Sequence, residues 1–235
     1  MNIIYSGKDC KAFYKLCGKR FKENFMEVKC IVTHLLESNC YIISSGGEAA
    51  VIDPGEYTAE LDKALNDINY SLKYILLTHT HFDHMSGALQ VKDKTGASLC
   101  VHELDIPGLT DYNLNLGYSG MKFCKTADIS LKDGQKLRLG NEDITVMHTP
   151  GHTAGGVCYI TGNMIFTGDT LFAGTIGRTD FPGGSYDNII ASLRKIDKLD
   201  GDFVIYPGHG PATTLKSERE NNVYMGHMDN DSYFM

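Results

Sequence analysis

Short apolar runs alternate along this chain with stretches rich in Gly, Asn, Asp and Pro, the pattern of many strands joined by turns. Val28–Thr33 and Cys40–Ser44 read as strands around a polar turn at Ser38-Asn39. Ala49–Ile52 follows Gly46-Gly47 and closes on Asp53-Pro54-Gly55, completing a β-meander. Apolar positions 61, 64, 65 and 68 then have the spacing of an amphipathic helix over Ala59–Ile68. A buried strand is expected at 73–77, a helix over Met85–Thr95 and a strand at Ser98–Val101. Segment 103–127 has no clean period and reads as a long irregular loop of the kind that walls a site. Weak strand signals span Met121–Leu139, and clearer ones lie at Asp143–His148, 157–160 and Met164–Thr167. Ser185 caps a helix to Ile196, with apolar residues at 189, 190, 193 and 196. A strand at 203–206 and a short polar helix at 217–223 complete the pattern.

Composition narrows this picture. A chain of 235 residues, 42% hydrophobic and 22% charged, suits one globular α/β unit with a sizeable core. The net charge of −7 argues against a general nucleic-acid binder. No apolar run approaches the length of a membrane span, and the first 25 residues lack the apolar core of a signal peptide. Seven cysteines are scattered without a Cys-x-x-Cys pair; they read as reduced and mostly buried, which points to the cytoplasm. Lys8, Lys11, Lys15, Lys19, Arg20 and Lys22 make residues 1–25 locally basic. That segment reads as an extension, a short helix or extra strand, before a domain at 26–235.

The candidate chemistry is concentrated after strand 73–77. His79, His81, Asp83 and His84 fall within six residues of one loop. Residues two apart in an extended segment point the same way, so His79 and His81 suit one ion, while Asp83 and His84 can serve a second. More ligands must then come from elsewhere, including an anion between the ions. His152, Asp169 and His209 offer themselves, each following a strand and each preceded by Gly, which lets the backbone bend towards a metal. Asp53, before Pro54-Gly55, reads as a brace for the ligand loop.

His79-x-His81-x-Asp83-His84, His152, Asp169 and His209, in this order, resemble the metallo-β-lactamase superfamily from about Met26 to Thr214. The resemblance implies an α+β fold, an αβ/βα four-layer sandwich with two sheets face to face and helices outside. It implies His79, His81 and His152 on one metal, Asp83, His84 and His209 on the other, and Asp169 bridging. Two-zinc β-lactamases usually carry Cys at the Asp169 position, which argues against antibiotic hydrolysis. Gly168-Asp169-Thr170-Leu171-Phe172 and Pro207-Gly208-His209-Gly210 resemble the glyoxalase II branch of thioester hydrolases. Where glyoxalase II has a long helical C-terminal domain, 26 residues follow His209, as in short microbial relatives.

The expected activity is therefore hydrolysis of a small acyl thioester, of the hydroxyacylglutathione kind, by a hydroxide bridging two divalent ions. Zinc is the default metal, and imidazole and carboxylate ligands also suit iron or manganese. Asp83 would orient the hydroxide and accept its proton. Arg178, in a loop beyond Asp169, is the candidate for the substrate's charged end; its other reading is a pair with Asp180. Gly177-Arg178-Thr179-Asp180-Phe181 also resembles persulfide dioxygenases of the same fold. They define the alternative, a mononuclear iron enzyme using His79, His152 and Asp169.

Overall fold

The computed structural model describes Ile4–Tyr5 and residues 26–225. Its first sheet has seven strands in sequence order. These are β1 (Ile4–Tyr5), β2 (Glu27–Val32), β3 (Asn39–Ser45), β4 (Glu48–Ile52), β5 (Ser71–Leu76), β6 (Ser98–His102) and β7 (Ile129–Leu131). The expected meander is β2–β3–β4, paired antiparallel, while β4 to β7 run parallel. Strand β1 adds parallel to β2; the rest of the basic segment 1–25 lies outside the described residues.

The second sheet has the order β15-β14-β11-β10-β9-β8. It comprises β8 (Lys136–Leu139), β9 (Glu142–His148), β10 (Val157–Thr161), β11 (Met164–Gly168), β14 (Val204–Pro207) and β15 (Thr213–Thr214). A hairpin, β12 (Leu171–Phe172) and β13 (Thr175–Ile176), stands apart from both sheets.

Burial defines the layers. Tyr41, Ile43, Ile52 and Leu76 of the first sheet meet Leu139, Val146, Tyr159, Phe166 and Tyr206 of the second in one cluster, so the sheets pack face to face. The other face of the first sheet is covered by α1 (Ala59–Asp67) and α3 (Ala88–Thr95), through Leu61, Ala64, Leu65, Ala88 and Val91. The other face of the second sheet is covered by α5 (Tyr186–Asp197) and α6 (Leu215–Asn221), through Leu193, Ile196 and Leu215. The chain is the αβ/βα sandwich that its motifs resemble. Its helices start where the sequence supplies caps: the Thr58 hydroxyl accepts from Leu61 N–H, and the Ser185 hydroxyl accepts from Asn188 N–H.

Three local expectations are corrected. The helix expected over Met85–Thr95 is two helices, α2 (Phe82–Met85) and α3, broken at Ser86-Gly87. Gly87 donates to the Pro54 carbonyl at 2.7 Å, and a Cβ there would lie 2.7 Å from the same oxygen, so the Asp53-Pro54-Gly55 turn wedges the helix open. Asp83 and His84 accordingly sit on the one-turn helix α2 rather than on the loop. Segment 103–127 holds a 3-10 turn at Ile106–Leu109 and the short helix α4 (Tyr112–Asn115). The last helix starts at Leu215 because the Thr214 hydroxyl caps it, accepting from Ser217 N–H.

Five of the seven cysteines (Cys30, Cys40, Cys100, Cys124 and Cys158) are described, all of them buried. No described helix is long and apolar enough to cross a membrane.

Phe166 is fully buried between the sheets, stacked on Tyr206 at 5.0 Å and edge-on to Tyr41 at 5.3 Å. Phe166→Ala should cost about 3–5 kcal/mol in urea unfolding, because the facing sheet cannot close over the cavity. A loss under about 1 kcal/mol would show that the sheets do not pack through this ring.

Candidate metal centre

Three elements of the second sheet and one of the first end on the same edge of the sandwich. Strand β5 runs into His79 and His81, and α2 follows with Asp83 and His84. Strands β9, β11 and β14 lead to His152, Asp169 and His209. Cross-sheet bonds hold the loop after β5 in place: Val157 N–H donates to the Thr78 carbonyl at 2.9 Å, and the Tyr159 hydroxyl to the Leu77 carbonyl at 2.6 Å. Gly168 precedes Asp169 with φ +49°, and a Cβ there would lie 2.3 Å from Thr78 Oγ1. The close approach of β11 to the loop thus requires glycine.

All seven predicted side chains come together. One ligand atom each from His79, His81 and His152 lies within 4.8 Å of the others, and so do those of Asp83, His84 and His209. Asp169 stands between the groups, with Oδ2 3.4 Å from His152 Nε2 and 3.6 Å from His209 Nε2, and Oδ1 3.4 Å from His84 Nε2. Asp83 Oδ2 is 3.2 Å from His209 Nε2 and 3.5 Å from His84 Nε2. His81 Nδ1 and His152 Nε2 are 2.9 Å apart, and the Nε2 atoms of His84 and His209 are 3.3 Å apart. Five of the seven side chains are buried, Asp169 keeps 11% of its side chain exposed, and His209 is partly open to solvent at 29%.

Behind these groups stand polar residues that hold them. Asp53 accepts from Thr78 N–H (2.7 Å) and Thr78 Oγ1 (2.6 Å), and lies 3.0 Å from His84 Nδ1, so it is the expected brace. Ser38 Oγ donates to the Asp83 carbonyl at 2.6 Å. Asn39 Nδ2 donates to the carbonyls of Pro207 and Gly210, fixing the His209 turn. His152 Nδ1 is 2.8 Å from the Arg178 carbonyl, which fixes that ring's orientation.

The sequence reading passed over Asp105, which is buried in the segment taken as irregular. It accepts from Thr80 N–H, Thr153 Oγ1 and Gly155 N–H at 3.1, 2.9 and 2.6 Å. The local signal was an acidic residue just after the apolar strand β6. Two phenylalanines quoted only as parts of motifs also border the donors: Phe181 packs T-shaped with His81 (5.6 Å between centroids) and Phe172 with His209 (6.1 Å).

Arg178 is exposed. Its guanidinium forms two hydrogen bonds with Asp180, at 2.9 and 2.7 Å, and lies 4.3 Å over the Phe181 ring. The pair with Asp180 weighed from the sequence is therefore present.

The electrostatics are those of a crowded, dry cluster. Burial, together with the neighbouring histidines His84, His81, His152 and His209, pushes His79 well below its ordinary value. Burial and His152 take His81 down to about 3. At His84 burial opposes the charge, but Asp83, Asp169 and Asp53 outweigh it and raise the pKa to about 10. Burial likewise disfavours charge on Asp83, yet His84 and His209 bring it down to about 2. Cation binding at these residues requires the histidines in their neutral form, so it would compete with their protonation.

The donor set fits divalent metal ions. Nitrogen and oxygen ligands on one tetrahedral ion stand about 3.4 Å apart for bonds of about 2.1 Å, close to the spacings found here. His79 Nε2, His81 Nε2 and Asp169 Oδ1 are buried without a hydrogen bond, a costly state for polar atoms that a bound cation would relieve.

The family model of the metallo-β-lactamase superfamily matches residues 35–209. The chain is similar to the hydroxyacylglutathione hydrolase GloC of Haemophilus influenzae, at 33% identity over 208 residues, covering 85% of this chain and 98% of that one. Among solved structures, the B3 metallo-β-lactamase BLEG-1 superposes with a TM-score of 0.79 at 33% identity, covering 84% of this chain and 99% of its own. TTHA1623, solved in a di-iron-bound form, gives 0.73 at 31% identity, covering 83% and 98%. The chain belongs to the metallo-β-lactamase superfamily. Fold, family and donor set make it a metal-dependent hydrolase.

Gly208 sets how closely β14 can approach Asp169. A Cβ there would lie 2.1 Å from Asp169 Oδ1 and 2.7 Å from His84 Cε1. Gly208→Ala should leave the circular dichroism of the fold unchanged and lower metal retained after dialysis at least about tenfold. Retention equal to the parent would mean that Asp169 and His84 need not stay in this arrangement.

Proposed function

We propose that this chain hydrolyses small acyl thioesters of the hydroxyacylglutathione kind, using two divalent cations. The observation that carries the proposal is the placing of Asp169 beside His152 of one three-residue group and beside His84 and His209 of the other, each group having its ligand atoms within 4.8 Å of one another. His79, His81 and His152 would hold one cation and Asp83, His84 and His209 the other, with Asp169 common to both. Two cations there would acidify a water and polarise an acyl carbonyl; zinc, iron and manganese all suit these ligands. The relative named hydroxyacylglutathione hydrolase supports the thioester, and the di-iron neighbour keeps iron beside zinc.

The chain's own residues do the rest. Asp83, whose carboxyl His84 and His209 hold well below the usual carboxylate range, is assigned to orient the attacking water and accept its proton. The second carboxylate, Asp53, is occupied with Thr78 and His84 and stays out of the proton transfer. A thiolate leaves readily because thiols ionise near pH 8.5, so the site needs no further acid. Phe181 and Phe172 present apolar edges on either side of the donors, where an acyl group would lie. We take residues 26–235 as the hydrolase domain and the substrate as a small molecule in the cytoplasm.

The test is a panel run on protein stripped by chelator and reloaded singly with zinc, iron or manganese. It contains a lactoyl thioester of glutathione, a β-lactam, and glutathione persulfide with oxygen. The β-lactam belongs there because BLEG-1 bears the β-lactamase name. Reloaded protein should cleave the thioester with kcat/KM of at least about 10⁴ M⁻¹s⁻¹ and stripped protein should not. Turnover of the β-lactam without the thioester, or oxygen uptake with the persulfide, would replace this reading.

Arg178 is assigned to the substrate's anionic end, with its guanidinium exposed on the face of Phe181 and shared with Asp180. Arg178→Ala should raise KM about tenfold for an anionic thioester and leave kcat nearly unchanged, a loss of about 1.4 kcal/mol of uniform binding. An unchanged KM would confine Arg178 to holding its own loop.

A further inference from the structure

Asp105 lies outside the seven-residue set, yet it ties together the two loops that bring His81 and His152 to one place. These loops leave different sheets, β5 and β9, and their imidazole nitrogens stand 2.9 Å apart. Both oxygens of Asp105 are committed. Oδ2 accepts from Thr80 N–H, beside His81, and from Thr153 Oγ1, beside His152. Oδ1 accepts from Gly155 N–H in the same loop as His152. The Thr80 hydroxyl adds a bond to the Asp105 carbonyl at 3.2 Å. Asp105 is itself anchored, its N–H donating to the His102 carbonyl and its carbonyl accepting from Gly108 N–H, both at 2.9 Å. The loop is pressed against it closely enough that a Cβ on Gly155 would lie 2.4 Å from Asp105 N.

We propose that Asp105 is a positioning residue for one half of the metal centre, setting the affinity of the His79, His81, His152 site while leaving the Asp83, His84, His209 site to Asp53. The inference rests on the metal-centre reading above. Its chemistry is that of a carboxylate facing donors alone. Two of the three donors are backbone N–H groups that cannot reverse, one from each loop. An Asn at this position offers one carbonyl oxygen and one NH₂. Whichever way it is turned, a backbone N–H meets the NH₂, and one loop is released. Asp53 makes the corresponding contacts on the other side, where it reaches His84 directly.

The experiment measures zinc affinity by competition with a chromophoric chelator in two backgrounds. His209→Ala leaves His79, His81 and His152 intact, and His81→Ala leaves Asp83, His84 and His209 intact. Asp105→Asn should weaken zinc binding 10–100-fold in the first background and change it little in the second. Thr153→Val, which removes a single bond to Asp105, should act in the same direction to a smaller degree, and it carries the test should the Asn variant fail to fold. Equal losses in both backgrounds would reduce Asp105 to general support of the fold, and no loss in the first would remove it from the centre. Both results would overturn the proposal. Absence of zinc binding in either background before Asp105 is touched would instead overturn the metal centre.

Discussion

The constraint on which this molecule depends is the burial of several carboxylates in one small volume. Asp53, Asp83 and Asp105 are buried and Asp169 nearly so at one edge of the sandwich, where isolated charges cost many kcal/mol. Each has a different answer. Asp105 is satisfied by donors from neighbouring loops and Asp53 by Thr78 and His84 Nδ1, whereas Asp83 and Asp169 face imidazole Nε2 atoms, at 3.2–3.6 Å. The first pair fixes the backbone and the second pair is left for cations. That division explains why polar residues with no chemistry of their own are buried so close to the centre.

The sandwich supplies the rigidity that this arrangement requires. The donors come from both sheets, so their spacing is only as well defined as the packing between the sheets. Tyr41, Phe166, Tyr206 and Tyr159 fill that layer, and Tyr41 and Tyr159 also use their hydroxyls on the carbonyls of Pro207 and Leu77, next to the donor loops. Core packing and site geometry are therefore carried partly by the same side chains. On the open side, the partly exposed His209 and the rings of Phe172 and Phe181 border the donors, where the proposed acyl substrate would arrive. Helix α6 contributes indirectly: Glu218 accepts from Gly174 N–H at 2.8 Å and so steadies the β12–β13 hairpin that carries Phe172.

Much of this could be read from the chain alone, for reasons that are local. The seven donors stood out because each lies just beyond an apolar run, three of them behind a glycine. Helix α1 followed from periodicity, and α5 from periodicity and the capping hydroxyl of Ser185. What was not legible depends on distant contacts. The break at Ser86-Gly87 is caused by the Pro54 carbonyl, which no periodicity near residue 87 encodes. Asp105 lies in an aperiodic segment, and its partners are 25 to 50 residues away. The parallel pairing of β11 with β14, which brings Asp169 beside His209, likewise joins strands separated by the whole of α5.

The central claim is that the two groups of donors bind two ions and share Asp169 between them. Anomalous diffraction from crystals of fully loaded protein, recorded on either side of the metal's absorption edge, tests it most directly. Two peaks about 3.5–4 Å apart are expected, with Asp169 in contact with both. A single peak beside His79, His81 and His152, with Asp83 and His84 uncoordinated in repeatedly loaded crystals, would contradict it.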